Sequence, residues 1–327
     1  MQPIGGSELA FVVDLLAETL PRVARIAAFI AVGVFLANVA VALGAVEYVA
    51  ALSRYLTDPA NLPREVGTAI LTTAASTTAG YGMLAEFRES GMLDDRATLV
   101  AVTINTFFGF VQHVFTFYVP VLIPILGLEV GVTYVGARAA IALGITLLGV
   151  VAGGLLLSER NVDPTASVDA EFDEGTDRTL REAVEHAWDR TRPKLLRIVP
   201  RLAVIYVLVT ALVRVTDPES LTAAADPLAN LIGLPGAAIP VIAVFALDTT
   251  TGALTIAPLI GAAFTPREAV ATMLVGGIVS FAVSTFKRSI PFQYGIWGPS
   301  FGSKVIAVNT VLKVAFIGLA LVVLLGT

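Results

Sequence analysis

The chain has no cysteine in its 327 residues, which excludes disulfides, thiolate metal ligands, iron–sulfur clusters and cysteine nucleophiles together. Histidine is nearly as scarce, with 2 in the chain, and no carboxylate stands at ligand spacing from His113, so no metal site is expected. Charge is scarce too: 14% of the residues are charged, against about 25% in a soluble domain, and 56% are hydrophobic. The net charge of −5 and the lack of a basic patch argue against nucleic acid as a partner. No phosphate loop, nucleophile elbow, paired-histidine zinc motif or dinucleotide fingerprint is present, so neither an enzymatic activity nor a cofactor is expected. The N-terminal stretch lacks a basic region and a small-residue cleavage site, so the mature chain is expected to start at Met1.

What is present is apolar. Ile26–Ala45, Ile141–Leu157, Leu202–Val213 and Val305–Leu325 are long or nearly free of charge and read as membrane helices. The expected fold class is an all-α integral membrane protein in contact with the lipid bilayer.

The chain also repeats itself. Leu20-Pro21-Arg22-Val23-Ala24-Arg25-Ile26 recurs as Arg192-Pro193-Lys194-Leu195-Leu196-Arg197-Ile198, and Leu62-Pro63 as Leu234-Pro235 at the same offset. Ser76-Thr77-Thr78-Ala79-Gly80 returns as Asp248-Thr249-Thr250-Thr251-Gly252. Phe115, Pro120 and Gly127 match Phe286, Pro291 and Gly298, and Gly136-x-Arg138 matches Gly302-x-Lys304. A repeat of this length in an apolar chain is how many transporters build two half-sites around one pathway. The expected units are a first repeat over 1–157, an acidic flexible linker over 158–176 and a second repeat over 177–327. The acidic linker is either a salt-adapted cytoplasmic face or an ordinary solvated loop.

Each repeat opens with an amphipathic stretch, Glu8–Leu20 or Thr179–Thr191, suited to a helix lying in the membrane interface, followed by a proline-basic hinge. Crossings are then expected over about 26–45, 63–87, 97–114 and 136–157 and their counterparts, or about eight transmembrane helices in two tandem homologous repeats. The Lys and Arg distribution favours cytoplasmic N- and C-termini. Four crossings per repeat make the halves parallel; a fifth, through Gln112–Gly127 and Lys287–Gly298, would invert one of them.

The second element of each repeat carries hydroxyls and glycine at its middle: Ser76, Thr77, Thr78 and Gly80, then Asp248, Thr249, Thr250 and Gly252. Backbone that unwinds at membrane depth is tolerated only where it is buried in protein or lines a cavity. Interrupted helices there would aim half-helix ends at a shared site; a continuous helix with back-bonded hydroxyls is the alternative. Asp248 is the sharpest residue, a carboxylate within an apolar segment, able to hold a coupling cation or a solute donor, or to pair with Lys287, Arg288 or Lys313. Asn105, Gln112 and His113 could add side contacts. Lys287-Arg288 reads as an anion-attracting mouth or as an interface anchor.

These features together resemble the Gate or nucleoside-recognition membrane proteins. The resemblance rests on Pro21-Arg22 and Pro193-Lys194, on Thr77-Thr78-x-Gly80 and Thr249-Thr250-x-Gly252, and on Phe115 to Pro120 with Phe286 to Pro291. It spans nearly the whole chain except the linker, and it departs from ferrous-iron gates in having neither a GTPase domain nor a thiol ligand. It implies paired gates controlling a solute path, with nucleosides as the nominal ligand class. The expected function is therefore a membrane permease or gate-type transporter for a small polar solute, with a coupling cation and a homo-oligomer among the expected partners. The alternative is a non-transporting scaffold or regulatory subunit that docks a cytoplasmic protein. A lipid-acting intramembrane enzyme is a distant third.

Overall fold

A computed structural model describes residues 4–42, 54–163, 180–215, 229, 231–285 and 289–326. Every named element among them is helical. The first is α1, Ile4–Ala42, which continues without interruption past Pro21. The amphipathic stretch expected to be a separate helix before a hinge is thus the first part of one long helix. The same correction applies in the second half, where α6, Leu180–Val215, contains both Pro193 and Pro200. Each proline removes one backbone donor and kinks the helix, but α1 and α6 pack along one another, and tertiary contact holds them continuous.

The elements expected to cross as interrupted helices form hairpins instead. In the first, α2 (Arg64–Ala75) and α3 (Thr77–Glu89) flank Ser76, the one residue between them, whose φ of −144° and ψ of 107° are extended. Gly80 of α3 folds back on α2 so closely that a β-carbon there would lie 2.7 Å from the Ala69 carbonyl oxygen and the Thr73 nitrogen. Both ends of this hairpin lie at one place. Asn61, before α2, donates to the Leu157 carbonyl at 3.3 Å, and after α3 the Asp94 amide donates to the Asn161 carbonyl at 3.1 Å. The chain goes in and comes back on the same side.

Next, Asp95–Leu126 forms one helical run, α4, whose Val114–Leu122 stretch is a π-helix containing Pro120. Gln112–Gly127 is thus neither a separate crossing nor a dip. Gly127 then reverses the chain (φ 81°, ψ 166°), and α5, Leu128–Leu156, returns with Gly131 against Ile123. That backbone region is open essentially to glycine alone.

The second half repeats these devices. Helices α7 (Ala238–Leu247) and α8 (Thr249–Ile256) flank Asp248, again extended at φ −154° and ψ 122°. Gly252 lies against Phe245, where a β-carbon would come within 2.6 Å of the Phe245 Cα. Helix α9, Pro266–Ser284, follows, opened by a Thr265–Glu268 capping box. Helix α10, Ile290–Gly326, is bent at Gly298 (φ 72°, ψ 165°), the counterpart of Gly127. Residues Phe286, Lys287 and Arg288 and the acidic part of the linker lie outside the described residues.

Among the described residues three helices are long and apolar enough to cross a membrane: α4, α5 and α10. Their outer faces carry large exposed aliphatics, such as Leu155 at 78% and Val322 at 69% exposure, a surface suited to contact with lipid. The halves interlock. The first hairpin packs Ile70, Leu84 and Phe87 with Trp297 and Phe301 of α10. The second packs Val241, Phe245 and Leu254 with Tyr118, Ile125 and Tyr134 of α4 and α5.

Candidate functional site

The two extended residues are helix caps. Ser76 Oγ accepts from the Ala79 amide at 3.3 Å, and Asp248 Oδ1 accepts from the Thr251 amide at 2.7 Å and the Thr251 hydroxyl at 2.6 Å. Serine and aspartate are favoured caps because their oxygens satisfy amides that a helix start leaves unpaired. Capping gives one reason for a carboxylate within an apolar segment. Insertion of an aspartate into a membrane helix costs about 2.5–3.5 kcal/mol, and the N-terminal dipole of α8 with two donated hydrogen bonds offsets part of that.

The hairpins reach the site from opposite ends of the molecule. The base of the first lies beside Asp95, which pairs at 2.8 Å with Lys304 near the start of the long limb of α10. Gly233, ahead of the second hairpin, sits 3.7 Å by its β-position from Leu325, near the end of that limb. From Lys304 to Leu325 a helix rising 1.5 Å per residue is roughly 30 Å long, the thickness of a bilayer core.

Between the hairpin tips is a cavity of about 600 Å³. Thr77 lines it from the first tip, and Asp248, Thr249 and Thr250 from the second, with Asn105 and His113 on α4. The other expected site residues stand apart. Gln112 supports the site by accepting a 2.9 Å hydrogen bond from the Thr77 hydroxyl. Ser76 caps and Thr78 is exposed, while Gly80 and Gly252 close the hairpins. His113 bonds through Nδ1 to the Gly109 carbonyl at 2.9 Å.

Asn105 is 1% exposed and its amide orientation is fixed by its neighbours. The Thr73 hydroxyl donates to the Ala69 carbonyl at 3.1 Å, so it can only accept from Asn105 Nδ2, at 2.9 Å. That leaves Asn105 Oδ1 as a buried acceptor without a partner. Such groups are rare in folded proteins because each costs about 1–3 kcal/mol. Asn105 is among the residues around the cavity, so a small movement of its side chain would offer this acceptor to a solute N–H or O–H.

Two lining residues escaped the sequence reading. Arg138 of α5, matched in the sequence to Lys304, lines the cavity together with Tyr118. Lys313 of α10, weighed only as a partner for Asp248, holds its ammonium 4.4 Å over the Phe281 ring. Lys304 instead lies at a helix end, half exposed and paired with Asp95. The signal for Arg138 is in the chain: it is the lone lysine or arginine between Arg96 and Arg160, inside an apolar run. Among the described residues no group of histidines and carboxylates is arranged to hold a metal.

No family model and no solved structure matches the chain. Two uncharacterized proteins of Methanocaldococcus jannaschii are similar to it. One is 24% identical over 236 residues, 72% of this chain and 71% of that protein. The other is 22% identical over 303 residues, 91% of this chain and 95% of that protein, so the similarity takes in both hairpins.

Proposed function

We propose that the protein is a permease of the gate type, moving a small polar solute through a path centred on the cavity between the hairpin tips. The observation that carries this reading is the approach of two capped helix breaks, at Ser76 and Asp248, from opposite ends toward one polar cavity. Irregular backbone of this kind is stable within a membrane only where it is buried or lines a cavity. Paired interrupted elements at a shared midpoint are the arrangement by which many carriers expose one site alternately to either face.

In this reading the halves are tandem homologous repeats and the hairpins are re-entrant. Helices α1, α4 and α5 then give about three crossings in the first half, matched by α6, α9 with the short limb of α10, and its long limb in the second. An odd number inverts one half relative to the other, which replaces the parallel arrangement of about eight crossings. Both termini share a face, and the linker lies on the other, so the two cannot both be cytoplasmic. Arg64, Arg88, Arg96, Arg160 and Lys304 gather on the linker face, which assigns that face to the cytoplasm. The resemblance to nucleoside-recognition gates supports the same class of function, with Asp248, Asn105 and the threonines as solute contacts.

The test is flux in proteoliposomes. Wild-type protein should carry a solute that empty vesicles do not, and Asp248→Asn, which retains an oxygen able to cap α8, should lose that flux while melting near wild type. Undiminished flux in Asp248→Asn would sink the assignment.

A further inference from the structure

We propose that the cavity takes a small organic anion: Arg138 and Lys313 pair its carboxylate or phosphate oxygens, and Asp248 and Asn105 accept from its hydroxyl or amino groups. This rests on the reading of the cavity as a solute site and names the class of solute.

The argument begins with charge. The cavity wall presents two cations, Arg138 and Lys313, against the single carboxylate of Asp248. Among the described residues neither cation makes an ion pair with a carboxylate, and both line the same cavity. Like charges held together at membrane depth are unfavourable in the protein alone, and an anion between them removes the penalty.

The geometry agrees. The cations come from helices of different halves, α5 and α10, and converge on one stretch of α9. Gly277 of α9 makes room for the guanidinium, its β-position lying 3.5 Å from Arg138 Nη1. One turn on, the Phe281 ring carries the Lys313 ammonium. An arginine fork in the cavity wall offers donors for a two-pronged bond to an oxyanion. The two cations call for an anion, and the acceptors among the lining residues, Asp248 and Asn105, call for N–H or O–H groups on the same solute. A neutral nucleoside would use the acceptors and leave both cations unanswered. The volume of about 600 Å³ suits a metabolite of ordinary size.

Calorimetric titration of the purified protein in detergent tests this with matched pairs: glycerol and glycerol 3-phosphate, uridine and uridine 5′-monophosphate, succinamide and succinate. Inorganic phosphate alone separates an organic anion from the free ion. The expected result is that the anionic member of at least one pair binds at least tenfold more tightly than its neutral partner. Arg138→Gln and Lys313→Met should each remove that preference, and Arg138→Lys should restore part of it. Equal binding of neutral and anionic members, unchanged in these variants, overturns the anion assignment and leaves the solute path standing. Binding of inorganic phosphate as tight as that of any organic member overturns the organic form of the proposal. If wild type binds no member, the anion assignment fails, and the permease reading is judged separately by flux in Asp248→Asn. The wild-type pair comparison needs no variant, so misfolding of Arg138→Gln leaves the test intact.

Discussion

Gly80→Ala should destabilise the protein, whereas Gly82→Ala in the same helix should not. A methyl group on Gly80 would lie 2.7 Å from the Ala69 carbonyl oxygen and the Thr73 nitrogen and would overlap the Thr73 hydroxyl. Two of these are backbone atoms of α2, so the limbs must part by about 0.7 Å to reach an ordinary contact of about 3.4 Å, and overpacking of this kind costs about 1–3 kcal/mol. The shift also strains the Thr73 hydroxyl's bond with Asn105, worth about 1 kcal/mol. Against this, alanine is the better helix former by about 1 kcal/mol. The net loss is therefore about 1–3 kcal/mol. At Gly82 nothing lies within 4 Å of the added carbon, so only the helix term acts, with a gain of up to about 1 kcal/mol. Thermal melting of both variants in one detergent should rank Gly82→Ala at or above wild type and Gly80→Ala below it. A Gly80→Ala protein as stable as wild type would mean that α3 does not fold back on α2, and the hairpin would fall with it.

Gly127→Ala and Gly298→Ala place a β-carbon in a backbone region that only glycine occupies readily, so each should lower stability by about 1–3 kcal/mol in the same melts. Asp95→Asn releases Arg88 and Lys304, but Asp95 is 44% exposed, so the loss should stay below about 1 kcal/mol. It should shrink further at about 1 M salt, where the screening length is about 3 Å; a larger, salt-independent loss would contradict this account. Because the chain has no cysteine, single cysteines report sidedness directly. Ser158→Cys and Gly326→Cys should react with an impermeant maleimide from opposite faces of sealed vesicles, and labelling from the same face would refute the inverted halves.

Several of the cavity's polar lining residues stand out in the sequence, and the reason is chemical. Ser76 and Asp248 are cap residues followed by hydroxyls and glycine inside apolar segments, a pattern that conflicts with a continuous membrane helix, so the interruption shows in one dimension. Asn105 and His113 could be picked out for the same reason, as polar groups where apolar ones are expected. Arg138 does not stand out in the same way, because in the repeat it simply matches Lys304. In the structure one is in the cavity wall and the other in an ion pair at a helix end. The prolines misled in the other direction: Pro21 and Pro193 read as hinges, yet α1 and α6 support one another through them.

The sequence by itself determined the helical class, the apolar runs long enough to cross a bilayer and the two places where a helix could break. These follow from composition, period and capping, which act within a few residues. Only the tertiary structure decided that each break turns its helix back on itself. That outcome depends on the closeness of Gly80 to Ala69 and of Gly252 to Phe245, and on the Asn61–Leu157 and Asp94–Asn161 bonds that bring both ends of the first hairpin to one side. It also decided which charges meet. Arg138, Lys313 and Asp248 come from helices far apart in the chain, and their proximity is a property of packing that local sequence does not encode.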